Sequence, residues 1–290
     1  MRAKTRTKKI LSLLLSGAFF LFSLAFFSFF APNSHSVQAA ADKTSLFSVR
    51  LSRFSTWYSQ KDVGRCENVA LAARFIDGVT VQPYGEFSFN QTVGKRTAAA
   101  GFQNAKVIVK GEYVQGIGGG VCQVSTTLYN ALLLAGLTVT EANPHSLAVS
   151  YVPPSRDAMV STQSDLRFFN PYPFAVRLNV TAKQGSLTVN VYGAKKTDEY
   201  KIVAIVTGEI DPPAPLEKEE TPQTPVQPRE ERKGIKSEAY LERYKGGALV
   251  SRKKLREDTY APVQGIIVKK IDDTTKKIPS NACLFFSKML

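Results

Sequence analysis

A run of glycines meets a cysteine in the stretch Gly116-Ile117-Gly118-Gly119-Gly120-Val121-Cys122-Gln123-Val124-Ser125-Thr126-Thr127. Behind it Leu128, Leu132 and Ala135 recur at helical spacing, and Gly136 is a natural stop. A helix is therefore predicted over 124–135, with the cysteine at its start. The bare N–H groups and partial positive charge of a helix N-terminus favour a thiolate. The same N–H groups can hold the oxyanion of an attacked carbonyl. Cys122 is thus a candidate nucleophile for acyl transfer. Gly118, Gly119, Gly120, Gln123, Ser125, Thr126 and Arg156 are candidate oxyanion and substrate-binding residues. The plainer reading of the same stretch is a small buried thiol at a tight turn.

A thiol nucleophile needs a base. The chain holds two histidines, and His35 lies in the N-terminal segment. If that segment is removed, a Cys–His mechanism must use His145, in the turn Asn143-Pro144-His145-Ser146-Leu147. The imidazole needs an acid or amide to orient it. Asp157, in Ser155-Arg156-Asp157-Ala158, and Asp165, in Ser164-Asp165-Leu166-Arg167-Phe168, are both candidates, and each also suits a cap or a surface ion pair.

Other chemistries fit less well. Two histidines and three scattered cysteines do not make a usual zinc site, so no metal is expected. Gly116 to Gly120 lacks the Lys-Ser/Thr ending of a phosphate loop, and no Gly-x-Ser-x-Gly elbow is present. No cofactor is expected. A Cys66–Cys122 disulfide is a competing arrangement that would leave no free thiol at the glycine turn.

The N-terminus sets the expected compartment. Arg2, Lys4, Arg6, Lys8 and Lys9 precede an uncharged, Leu- and Phe-rich run from Ile10 to Ala31. Small residues then lead to Ala39-Ala40-Ala41. Basic, apolar and small residues in this order predict that 1–41 is a signal peptide or an N-terminal membrane anchor. The body is then exported, at the outer face of the membrane or in the cell wall. The chain has 290 residues and a net charge of +14, five of these charges lying in the first nine residues. Export makes nucleic acid an unsuitable partner. The remaining positive charge suits anionic wall polymers or anionic lipid, or is simply a solvated basic surface.

Composition divides the remainder. Residues 42–204 have mixed apolar patterning and read as the main domain. A helix is expected at 68–75 and a hairpin around Lys110-Gly111, with strands at 148–152, 166–169, 175–180 and 187–192. Residues 205–234, rich in Pro and Glu, read as an extended linker. Residues 235–271 read as a small basic β module, and 272–290 as a tail. The fold class expected is α+β: a mixed sheet with a few helices, followed by the linker and the module.

At these residues the sequence resembles the VanW family. The shared text is Gly85-Glu86-Phe87-Ser88-Phe89-Asn90, Val93-Gly94, Gly101-Phe102, the block from Gly116 to Leu134, His145-Ser146-Leu147, Ser150 to Pro154, Arg156-Asp157-Ala158 and Asp165 to Phe168. The likeness covers 65–192, and 237–268 looks like the tail found in many members. Two departures stand out. The family's Pro-Gly-Glu pattern is Pro83-Tyr84-Gly85-Glu86 here, and Ser155 stands where glycine is common.

The family is linked to vancomycin-resistance clusters and the bacterial envelope, and some members are regarded as L,D-transpeptidases using the cysteine of the glycine block. The resemblance implies Cys122 as nucleophile, His145 as base and peptidoglycan stem peptides as partners. The expected activity is a Cys-dependent L,D-transpeptidase-type acyl transfer, or L,D-carboxypeptidase activity if water resolves the thioester. The alternatives are a non-catalytic binder of stem-peptide carboxylates and an accessory envelope scaffold.

Overall fold

The computed structural model describes residues 46–109, 111–195, 198–220 and 225–270. The expected signal or anchor at 1–41 and the tail at 272–290 lie outside these residues. Among the described residues no helix is long and apolar enough to cross a membrane. The described residues belong to one compact unit, of mixed helices and strands as the α+β expectation required.

The core is built by period-two strands against a buried helix. Strands β1 (Val49–Trp57), β2 (Thr80–Val81), β8 (Val176–Lys183) and β9 (Ser186–Gly193) make an antiparallel sheet in the order β1-β9-β8-β2. Val176, Leu178 and Val180 alternate inward from exposed Arg177, Asn179 and Thr181, as a sheet with one buried face requires. Leu187, Val189 and Val191 continue that face. Helix α1 (Val63–Ile76) covers it with Val69, Ala72 and Ile76. Its N-cap is Asp62, whose carboxylate accepts from the Arg65 N–H at 3.0 Å.

Beside this layer lie a small sheet in the order β3 (Glu86–Ser88), β7 (Arg167–Phe169), β6 (Thr138–Glu141), and a short helix α2 (Phe89–Val93). Strands β4 (Asn104–Val109) and β5 (Glu112–Ile117) form the expected hairpin. The central helix α3 (Val121–Leu134) begins three residues before its predicted start, placing Cys122 in its first turn. Val124, Leu128 and Leu132 are fully buried, and its polar Gln123, Ser125, Thr126, Thr127 and Asn130 are buried as well. The strand expected at 148–152 is instead a run of bends. Its polar backbone wraps the site rather than joining a ladder.

The expected linker at 205–234 is corrected. Strand β10 (Glu199–Ile210) runs through the 204/205 boundary and pairs with β12 (Gly234–Lys245), which pairs in turn with β13 (Ala248–Tyr260). Strand β11 (Leu216–Glu220) lies parallel to β14 (Ile266–Lys270). The prolines explain the misreading. Pro212, Pro213 and Pro215 sit between β10 and β11, where their missing N–H is harmless. They punctuate strands instead of abolishing them. The acidic β11 meets a basic partner, with Glu217 and Lys269 paired at 2.6 Å.

Candidate active site

Backbone geometry sets Cys122. Gly120 is the N-cap of α3, with φ +105°, a left-handed conformation that side chains with a β-carbon rarely adopt. Gly119 is needed for a different reason. A β-carbon there would stand 2.6 Å from the Lys106 carbonyl oxygen and 2.8 Å from the Ala105 carbonyl carbon, so the β4 backbone passes too close for any side chain. No side chain caps α3. The Val121 N–H donates to the Gly118 oxygen at 3.1 Å and the Gln123 N–H to the Gly120 oxygen at 2.9 Å. Two of the N–H groups at the helix start are thus engaged and are not open to an oxyanion. Of the three N–H groups at 121–123, that of Cys122 has no backbone acceptor among the described residues.

The thiol is partly buried and sits 3.4 Å from the Val160 carbonyl oxygen. Cys66 and Cys122 are both free, which removes the competing disulfide. Burial pushes the Cys122 thiol up. Hydrogen bonding and charge from His145, with the Arg96 guanidinium nearby, outweigh it and hold the thiol below its ordinary value.

His145 is 5% exposed, and its Nδ1 lies 2.6 Å from Asp157 Oδ2. The same oxygen accepts the His145 backbone N–H at 2.7 Å. With Nδ1 bound to the carboxylate, Nε2 is left for Cys122. Burial alone would lower the His145 pKa. The Asp157 hydrogen bond and the Cys122 charge raise it instead, to about 9. Burial likewise works against the Asp157 carboxylate, but His145 and Tyr260 hold it below its usual range. The three groups are coupled, and the opposed shifts of Cys122 and His145 favour thiolate with imidazolium over thiol with imidazole.

Asp157 rather than Asp165 serves His145. Asp165 Oδ1 accepts from the N–H groups of Asn90 and Leu166, both at 2.8 Å, and Oδ2 accepts from the Ser88 hydroxyl at 2.5 Å. It fixes the start of α2, a capping role that its sequence setting also allowed.

Four proposed substrate contacts are also corrected. Gln123 is fully buried, donating to Thr56 Oγ1 and the Trp57 oxygen and accepting from Arg65 at 2.6 Å. Ser125 donates to the Ala158 oxygen at 2.6 Å, and Thr126 Oγ1 accepts the Ala158 N–H at 2.9 Å. Arg156 bonds Asn130 at 2.8 Å and lies over the Phe54 ring. These four side chains lock α3 to its surroundings and do not reach for ligand. Helix rotation is the reason for the three on α3, because the residues flanking half-buried Cys122 turn into the core, while Arg156 reaches α3 from a loop.

Cys122 and His145 open into a cleft of about 1130 Å³. Among the described residues, Arg65, Lys95, Arg96 and Lys106 line it against a single acid, Asp62, which caps α1. Arg65 is tethered to Gln123, and Arg96 to Asn90 at 2.8 Å, so two guanidinium groups are pre-positioned. Trp57, 71% exposed, and Tyr113, 48% exposed, stand at the rim. Sequence reasoning missed Arg65, Arg96, Trp57 and Tyr113, because their types are common and only folding gathers them.

None of the solved structures matches the chain. A Bacillus subtilis (strain 168) protein described as "Uncharacterized protein YoaR" is 41% identical over 146 residues, covering 50% of this chain and 48% of the relative. The chain thus spans about half the length of the curated relative it matches. The glycine block, Cys122, His145 and Asp157 all fall within residues 64–192, which match the family described as VanW like protein. Over that span, less than half of the chain, the sequence matches the VanW family.

Proposed function

We propose that the chain is a cell-wall-related protein that carries out Cys-dependent acyl transfer on peptidoglycan stem peptides. The family match suggests the cell-wall setting. The observation that carries the chemistry is the row Cys122–His145–Asp157 at the floor of a cationic cleft.

The Cys122 thiolate attacks the carbonyl carbon preceding the terminal D-alanine of a stem peptide, on the L-centre side of the bond. The carbonyl electrons move to oxygen, and the Cys122 N–H donates to that oxyanion. The oxyanion collapses, the C–N bond breaks, and the His145 imidazolium gives its Nε2 proton to the departing amine of D-alanine. A thioester remains on Cys122. An amine of a neighbouring stem then attacks the thioester, neutral His145 takes the amine proton, and Cys122 leaves as thiolate. Water in place of the amine gives L,D-carboxypeptidase activity. Arg65 and Arg96 suit the stem's carboxylates, and Trp57 and Tyr113 offer rim surface to its apolar parts.

The test is turnover of a stem tetrapeptide by the full chain and by Cys122→Ala. The expected result is D-alanine release by the parent and a fall of at least about 10³-fold in the variant, whose melting is unchanged. Binding without product in both proteins would place the chain among non-catalytic binders.

A further inference from the structure

Asp157 is 1% exposed, and His145 occupies only one of its two carboxylate oxygens. The other, Oδ1, accepts the hydroxyl of Tyr260 at 2.5 Å. Tyr260 ends β13 and is itself 1% exposed. Its oxygen also accepts the Ser155 backbone N–H at 2.7 Å. An N–H can only donate, so the tyrosine proton must point to Asp157. Ser155 has φ +61°, and its hydroxyl bonds Ser237 Oγ in β12 at 2.7 Å. Ser155 thus ties the loop beside Asp157 to the C-terminal strands.

Two further bonds come from the same strands. Arg256 donates to the Asp157 carbonyl oxygen at 2.8 Å, and the Ala261 N–H donates to the Ser146 oxygen at 2.9 Å. The β12–β13 pair therefore grips the chain beside His145 and beside Asp157 at once. Ser237, Arg256, Tyr260 and Ala261 all lie beyond residue 192, where the family match ends.

We propose that Tyr260 is a positioning residue for the His145–Asp157 pair, so that the working site requires the C-terminal strands as well as residues 64–192. This rests on the reading of Cys122 and His145 as nucleophile and base. With both oxygens held, the carboxylate cannot rotate, the imidazole keeps Nδ1–H toward Asp157, and Nε2 stays on Cys122. The charged and titratable groups around the pair are Cys122, Arg96 and Tyr151 on the cleft side, with Tyr129, Tyr260, Arg256 and Asp258 behind.

The experiment is the pH profile of Cys122 alkylation by iodoacetamide in the full chain, read by mass mapping of the Cys122 peptide. The parent, Tyr260→Phe, Asp157→Asn and the double variant are compared, with Val263→Ala as a control for lost packing in the same module. The parent is expected to alkylate below the ordinary thiol range. Tyr260→Phe is expected to move the acid limb up by about one unit, a roughly tenfold loss on that limb. Its effect should largely vanish in the Asp157→Asn background, whereas a merely structural effect would add. Val263→Ala should lower melting and leave the limb in place.

If Tyr260→Phe folds poorly, Ser237→Ala, which loosens the strands from Ser155 without touching the ring, should shift the limb in the same direction by less. An unchanged or lowered limb in the folded tyrosine variant, or in Ser237→Ala where that variant stands in for it, overturns the positioning role and leaves the nucleophile reading standing. A parent Cys122 that titrates as an ordinary thiol overturns both.

Discussion

His145 makes two hydrogen bonds to one oxygen of Asp157, from its backbone N–H at 2.7 Å and from its Nδ1 at 2.6 Å. Backbone and ring are thereby referenced to the same atom. Rotation of the imidazole away from Cys122 would break the ring bond while the main-chain bond still held the carboxylate in place. Such a pair stores orientation, and orientation is what a base must supply to a nucleophile on another element.

The pH dependence follows from the two opposed shifts. The Cys122 pKa is lowered and the His145 pKa is raised to about 9, so the ion pair exists between them. kcat/KM should rise through a limb below the ordinary thiol range and fall through a limb near pH 9 as the imidazolium loses its proton. The stability sign is separate. His145 contributes fully below its unfolded value of 6.5, and that contribution is lost as pH rises through about 9. Asp157 contributes above its unfolded value of 3.8, and that contribution is lost as pH falls through its lower folded value. Rate profiles and melting profiles of the full chain check both.

The two aspartates should separate cleanly. Asp157→Asn should shift the alkylation profile of Cys122 toward an ordinary thiol and cut turnover by at least about 10²-fold. Asp165→Asn weakens the start of α2 by about 1–2 kcal/mol and leaves the profile unmoved. Paired titration and melting curves decide it.

Gln123→Ala tests anchoring against substrate binding. The substitution strands Thr56, the Trp57 oxygen and Arg65 without their partner. A loss of about 2–4 kcal/mol in stability is expected. Binding of stem peptide at a temperature where the variant is folded should weaken modestly, through Arg65, rather than disappear. Denaturant unfolding and peptide titration give the two readings.

Gly119→Ala places a β-carbon 2.6 Å from the Lys106 carbonyl oxygen. Backbone on both sides must shift, at a cost of about 1–3 kcal/mol. Cys122 would move with its helix end, so reactivity should fall alongside the melting temperature.

The local parts of the site were legible in the sequence, and the long-range parts were not. Glycine spacing and the Leu128/Leu132 period located α3 and put Cys122 at its N-terminus, because both are properties of a short window. The scarcity of histidine pointed to His145. Spacing had no means to choose between Asp157 and Asp165, since both are short loop acids and only folding decides which faces the ring. Gln123, Ser125 and Thr126 looked like ligand contacts because of their types beside the nucleophile, yet helix rotation sends them inward. Tyr260 lies 103 residues from Asp157 in the chain. It also sits beyond a Pro-rich stretch that read as a linker, though β10 and β11 carry that stretch into the same compact unit.

Intact-mass spectrometry of the full chain mixed with a stem tetrapeptide tests the central claim most directly. The account predicts an adduct on Cys122 equal in mass to the acyl part of the peptide without D-alanine, absent in Cys122→Ala. A folded protein with a free Cys122 thiol that binds the peptide and forms no adduct would contradict it.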